Sequence, residues 1–149
     1  MIEGVQQKTR LDEAGVIAFL SAQPDIVAAY LFGSFAAERA TPRSDVDLAI
    51  LLADELGPFE FLERRLELMG QLEGFVKGEL DVVILNAASP FLQHQVLRQG
   101  CLLYEGNRRA RIEFEVRSGK AYADLQPMRE FFHRSLLQEI REGRLGGRE

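Results

Sequence analysis

Cysteine, histidine and basic charge are all scarce in this chain, and each scarcity closes off a class of function. One cysteine, Cys101, among 149 residues rules out an intrachain disulfide framework and suits a reducing compartment. Cys101 itself reads as a small buried hydrophobe at a strand start. The two histidines, His94 and His133, form no metal-ligand set: His94 has no second His, Cys or carboxylate at ligand spacing and reads as an ordinary helix residue. A formal net charge of -5 supplies no basic field for a polyanion, so work on a long nucleic-acid template is disfavoured. No stretch approaches a membrane span, and the N-terminus has no apolar run flanked by basic residues. The expectation is a soluble cytoplasmic protein with neither membrane nor direct nucleic-acid partner. Repeats and low-complexity linkers are lacking too, and 46% apolar with 28% charged residues fits one globular domain.

What is present is concentrated between Ile26 and Leu52. An apolar strand, Ile26 to Phe32, breaks at Gly33-Ser34; ten residues later Asp45-Val46-Asp47 opens a second apolar strand that runs to Leu52. Side chains alternate along a strand, so Asp45 and Asp47 project to one face while Val46 points into a core. Adjacent carboxylates repel unless a cation lies between them, and an all-oxygen ligand set suits a hard divalent ion such as Mg²⁺. At Gly33 the backbone can turn sharply and come close to a ligand, and exposed N–H groups with the Ser34 hydroxyl can bind anionic oxygens. The combination reads as a polyphosphate held against metal.

Gly-Ser-x10-Asp-x-Asp is the signature of the polymerase-beta-like nucleotidyltransferases, and four fixed letters would arise by chance in roughly one of several hundred such chains. Gly33-Ser34-Phe35-Ala36, Ser44-Asp45-Val46-Asp47-Leu48 and Leu80-Asp81-Val82-Val83-Ile84-Leu85-Asn86 resemble the minimal nucleotidyltransferase (MNT) proteins, known chiefly as antitoxins paired with HEPN toxins. The resemblance covers residues 26 to 105 and, more loosely, the C-terminal helix. It implies a nucleotidyltransferase fold: an α/β (α+β) domain over residues 1–106 with a small mixed twisted sheet and packed helices. Residues 107–149 are a C-terminal helical extension of the same domain. It also makes Asp81 the third carboxylate, on the strand beside the Asp45–Asp47 strand. An unpaired carboxylate in such an apolar run would cost several kcal/mol, so Asp81 needs a partner or a metal. Two departures stand out. Many MNT chains have Arg-Gly-Glu where this one has Ala37-Glu38-Arg39, leaving Arg39 or Arg43 as substitutes for a nucleotide-contacting arginine or as surface residues. Many also have a further Asp where this chain has Ile84.

The remaining elements follow from periodicity and punctuation. Thr9 and Asp12 resemble a capping box, followed by Leu11, Ala14, Ile17 and Ala18, with Phe19 or Leu20, at helical spacing. Phe35 to Ala40 is expected to form a short helix carrying the Gly-Ser turn at its N-terminus, and Thr41 to Ser44 a turn. Pro58 starts a helix whose stripe of Phe59, Leu62, Leu66, Met69 and Leu72 faces the core, leaving Glu60, Glu63, Arg64, Arg65 and Glu67 as a solvated face. Lys77-Gly78 turns into a third strand, Glu79 to Leu85. Ser89-Pro90 caps a helix that Gly100 ends, and Cys101 to Tyr104 is a short strand. From Asn107 to about Arg144 the chain reads as helix interrupted by Pro127, with Ile112, Val116, Tyr122, Leu125, Phe132, Leu136 and Ile140 as its stripe. Phe131-Phe132 and Leu136-Leu137 add more apolar surface than one face needs, which suggests an interface for a hetero-oligomer. Arg129 and His133 are closer together than the Arg and His of HEPN nucleases, so no nuclease is read here.

By the resemblance, Asp45, Asp47 and Asp81 would hold two Mg²⁺ ions, Gly33 and Ser34 would hold the triphosphate of ATP, and Asp81 would serve the acceptor side. Three functions fit: an antitoxin that moves AMP from ATP onto a tyrosine of a cognate HEPN ribonuclease toxin, a small-molecule nucleotidyltransferase of the aminoglycoside-modifying kind, or a non-catalytic module that silences a toxin by covering it. About 40 residues after Tyr104 are a thin allowance for an antibiotic-binding domain. The acids and Gly-Ser are all present, against a dead site.

Overall fold

The computed structural model describes residues 11–33 and 46–142. Thr9, the expected helix from Phe35 to Ala40, the turn from Thr41 to Ser44, and the expected site residues Ser34, Asp45, Arg39 and Arg43 lie outside them. In chain order the elements are α1 (Glu13–Ser21), β1 (Ile26–Phe32), β2 (Val46–Leu52), α2 (Pro58–Leu72), β3 (Leu80–Ile84), α3 (Pro90–Gln99), β4 (Cys101–Glu105) and α4 (Arg108–Arg141). The four strands form one mixed sheet in the order β3-β2-β1-β4. β1 is antiparallel to both β2 and β4, whereas β2 and β3 are parallel, joined by α2 as the crossover such a pair needs.

Both faces of the sheet are covered, which is why β1 and β2 read as continuous apolar runs rather than alternating ones. Val46, Leu48, Ile50 and Leu52 pack toward α1 and α2 against Val16, Leu20, Phe61, Leu68 and Leu72. Ala49 and Leu51 point the other way, toward Val96 of α3 and Phe114 of α4. In β1 both Val27 and Ala28 belong to the second core; a register shift between Ile26 and Ala28 allows it, one extra residue being accommodated as a bulge.

Caps set the helix ends. Asp12 itself is the N-cap of α1, its carboxylate accepting from the Gly15 N–H at 3.0 Å, rather than the third-position partner of a box begun at Thr9. With the helix starting at Glu13, its inward residues are Val16 and Leu20 with Phe19 beside them, while Ala14, Ile17 and Ala18 are exposed. Ser89 caps α3 and Asn107 caps α4 as side-chain acceptors.

Two expected stripes are rotated. In α2 the expected Leu72 is buried and Met69 packs on the core, but the other buried residues are Phe61 and Leu68, and Phe59, Leu62 and Leu66 are exposed. Arg64 and Arg65 lie on the inward side, not on a solvated face. Arg64 makes two 2.9 Å bonds to the Asp25 carboxylate and a 3.0 Å bond to Gln23, and Arg65 bonds to β3. In α4 the buried residues are Phe114 and Ser118, with Ile112 and Val116 exposed; the Ser118 hydroxyl is satisfied by Gln93 Oε1 at 2.8 Å. Pro127 does not interrupt α4, which is one helix of 34 residues. Its distal part carries Met128, Phe131, Phe132, Leu136, Leu137 and Ile140, all exposed. Cys101, on the edge strand β4, is exposed too, not a buried hydrophobe. Among the described residues no helix is long and apolar enough to cross a membrane.

Candidate active site

β1 ends at Phe32, whose partner across the antiparallel ladder is Asp47. The next residue, Gly33, has φ +80°, a left-handed backbone that L side chains rarely adopt. The same residue is also short of space: a Cβ added there would collide with Asp47 Oδ2. The turn therefore calls for glycine, and any side chain here would push the Asp47 carboxylate aside. The sharp turn expected at Gly33 is present.

The second strand brings Asp47 to a third. β2 and β3 run parallel with Asp47 opposite Asp81 and Leu48 opposite Val82. Register partners on neighbouring strands point to the same face, with backbones about 4.8 Å apart, so the two carboxylates stand side by side. Val46, before Asp47, is fully buried in the opposite core, as its alternation demands. Asp47 is half-buried and the Asp81 side chain is 48% exposed, so the pair opens to solvent at one end of the sheet. Asp45, immediately before β2 in the chain, lies outside the described residues, as does Ser34.

Asp81 has the partner its surroundings call for. Arg65 reaches from α2, which packs on the opposite face, past the edge strand β3. Its Nε donates to the Val82 carbonyl at 2.6 Å and its Nη2 to Asp81 Oδ1 at 2.9 Å. Periodicity hid this residue: an arginine between glutamates on a helix reads as surface, and only the placement of α2 beside β3 reveals where its head group goes.

Other polar groups are structural. Tyr30, buried at the centre of the sheet, donates to Glu115 Oε2 at 2.8 Å, and Arg111 joins Glu115 to Glu105. Burial first, and then the Glu115 carboxylate, push the Tyr30 phenol well above its ordinary pKa. Hydrogen bonding to Glu105 similarly raises Arg111. The network ties α4 to β1 and β4. His94 stacks flat on Tyr122, ring centroids 3.7 Å apart, with Phe91 edge-on to the same ring, as an ordinary helix-packing residue would. Arg129 and His133 lie on the exposed distal half of α4.

Known proteins match the chain over most of its length. The model of the family described as "Polymerase beta, Nucleotidyltransferase" matches residues 15–109. The protein adenylyltransferase MntA of Shewanella oneidensis is 33% identical over 122 residues, which cover 81% of this chain and 84% of that protein. Among solved structures, a chain of a toxin–antitoxin assembly with AMP-PNP superposes with a TM-score of 0.67 at 30% identity, covering 85% of this chain and 99% of that one. A chain from the complex of tri-AMPylated S. oneidensis HEPN toxin with an MNT antitoxin gives a TM-score of 0.63 at 29% identity, covering 88% and 98%.

Proposed function

The chain belongs to the polymerase-beta nucleotidyltransferase family, and on that premise we propose that it is an antitoxin enzyme that transfers AMP from ATP to a tyrosine hydroxyl of a cognate HEPN ribonuclease toxin. The observation that carries this reading is the in-register placement of Asp47 and Asp81 beside the Gly33 turn. The adenylyltransferase relative and the AMPylated toxin complex supply the donor and acceptor classes.

The donor set fits a hard divalent cation. Two all-oxygen ligands share one face, and the missing Cβ of Gly33 leaves room for the Asp47 carboxylate against backbone that would carry phosphate. Bound by Asp45, Asp47 and Asp81, two Mg²⁺ ions would offset the triphosphate charge and lower the pKa of the acceptor hydroxyl. The chain's own groups do the rest. Gly33 and Ser34 hold and orient the triphosphate of ATP. The tyrosine oxygen attacks the α-phosphorus, the bond from that phosphorus to its bridging oxygen breaks, and pyrophosphate leaves with the electron pair. The phenolic proton passes to the Asp81 carboxylate and on to water; a tyrosine with pKa about 10 needs only about three units of help at neutral pH. No histidine base is required.

The distal half of α4 provides the docking surface for the toxin. Phe131, Phe132, Leu136, Leu137 and Ile140 are each 45% to 60% exposed on a segment that meets no other described element closely enough to cover them. The test is intact-mass spectrometry of the neighbour-encoded HEPN protein after incubation with this chain, ATP and Mg²⁺. AMP adducts on a tyrosine, with ribonuclease activity falling in step, are expected. An unmodified yet inhibited toxin would overturn the enzymatic reading in favour of silencing by coverage. AMP transfer to an aminoglycoside with an unmodified toxin would overturn it in favour of a small-molecule enzyme.

A further inference from the structure

We infer that Arg65 is a positioning residue for the transfer reaction, fixing Asp81 by one oxygen so that the other is presented to the acceptor. The inference rests on the role proposed above for Asp81. Its geometry is a two-point grip: Arg65 Nε is anchored on the main-chain oxygen of Val82, and Nη2 of the same rigid fork takes Asp81 Oδ1. Because the anchor is the backbone of the residue next to Asp81, the guanidinium is set relative to the strand that carries the carboxylate, and the carboxylate cannot rotate without breaking the fork. Among the described residues Arg65 is the partner of Asp81, and Oδ2 stays uncommitted. Charge agrees with geometry. Asp47 and Asp81 stand in register and repel each other, and the cation on the outer edge of β3 draws Asp81 into one orientation.

A purely structural role is a poor account of this contact. The side chains of Arg65 and Asp81 are 36% and 48% exposed, and half-exposed ion pairs stabilise folds weakly. The neighbouring Arg64 is the contrast: its side chain is 15% exposed and it clamps Asp25, Gln23 and Glu67, tying α2 to the start of β1. One arginine holds the helix; the next holds a site carboxylate.

The experiment uses the full chain with the neighbour-encoded HEPN protein as acceptor. Arg65→Met should lower kcat by about 10- to 100-fold while the Kd for ATP with Mg²⁺, measured by calorimetry, stays within about twofold. Arg65→Lys, which keeps the charge but not the fork, should fall between, and free guanidinium should partly restore Arg65→Ala. In an Asp81→Asn background, Arg65→Met should change the rate by less than about twofold, because a residue acting through Asp81 has nothing left to position. Full activity of Arg65→Met, or losses that multiply independently with Asp81→Asn, would overturn the inference. Should Arg65→Met fail to fold by melting curve, the Lys variant and guanidinium rescue decide. If Asp81→Asn alone retains full activity, it is the role of Asp81 that fails; if Asp81→Asn is dead and Arg65→Met is not, only the role of Arg65 fails.

Discussion

Replacing Gly33 by alanine separates backbone strain from displacement of a carboxylate. At φ +80° an alanine sits in the left-handed region, at a cost of about 1–2 kcal/mol. At roughly 2–4 °C per kcal/mol for a domain of this size, melting should fall by roughly 2–8 °C. The steric part acts elsewhere. The new Cβ meets Asp47 Oδ2, the far end of a side chain rather than backbone, so the carboxylate turns away instead of the strands moving apart. A shift on the order of 1 Å in a reacting group costs about a hundredfold in rate, or about 2.7 kcal/mol at the barrier. The expected result is therefore a modest loss of stability with a much larger loss of AMP transfer, measured by mass spectrometry on the toxin well below the melting point.

Gly106→Ala is a steric control, without the left-handed backbone of Gly33. Its added Cβ would meet the Tyr104 hydroxyl and lie 3.0 Å from the Ile26 carbonyl, at the opposite end of β1, so it strains the fold without approaching the carboxylates. Per folded molecule it should transfer AMP as the unmodified chain does. Equal activity of Gly33→Ala and Gly106→Ala, each corrected for the folded fraction, would refute the argument that Asp47 depends on the missing Cβ.

Asp47→Asn should reduce transfer by about a thousandfold with its melting temperature little changed, read by the same adduct assay. Asp81→Asn should bind ATP nearly normally by calorimetry yet transfer poorly; parallel loss of both would move Asp81 to the nucleotide side. Because the folded state holds Tyr30 neutral at pH values where an unfolded tyrosine ionises, its contribution is complete below pH about 10 and fades as pH rises beyond it. Denaturant titrations should show that alkaline fall blunted in Tyr30→Phe. The double change Phe132→Glu with Leu136→Glu should weaken toxin binding in a pull-down or calorimetry while leaving melting unchanged, since both side chains are already exposed.

The strands were legible because a strand buried on both faces leaves an unmistakable apolar run: Ile26–Phe32 is found at its expected bounds and the second strand ends at Leu52 as expected. Gly33 was legible for a related reason: few residues tolerate the conformation it adopts. The rotation of α2 was not. Phe59, Leu62, Leu66, Met69, Leu72 and Phe61, Leu68, Leu72 both satisfy helical spacing and share Leu72, and the choice between them turns on Arg64 and Arg65. Arg64 is buried enough to need the Asp25 counter-charge, 39 residues away in sequence, while the half-exposed Arg65 meets Asp81, 16 residues away. Cys101 was missed for a similar reason: whether a strand's residues are covered depends on which elements pack over it, which its own letters do not show; β3 and β4 are both edge strands, yet Val82 and Ile84 are buried while Cys101 is exposed. The motif thus announces Gly33 and Asp47, and the family resemblance adds Asp81, as groups whose identity the proposed chemistry would fix. A group that merely aims one of them, as Arg65 does, can approach from any neighbouring element with the right reach, so nothing in its local sequence sets it apart from a surface arginine.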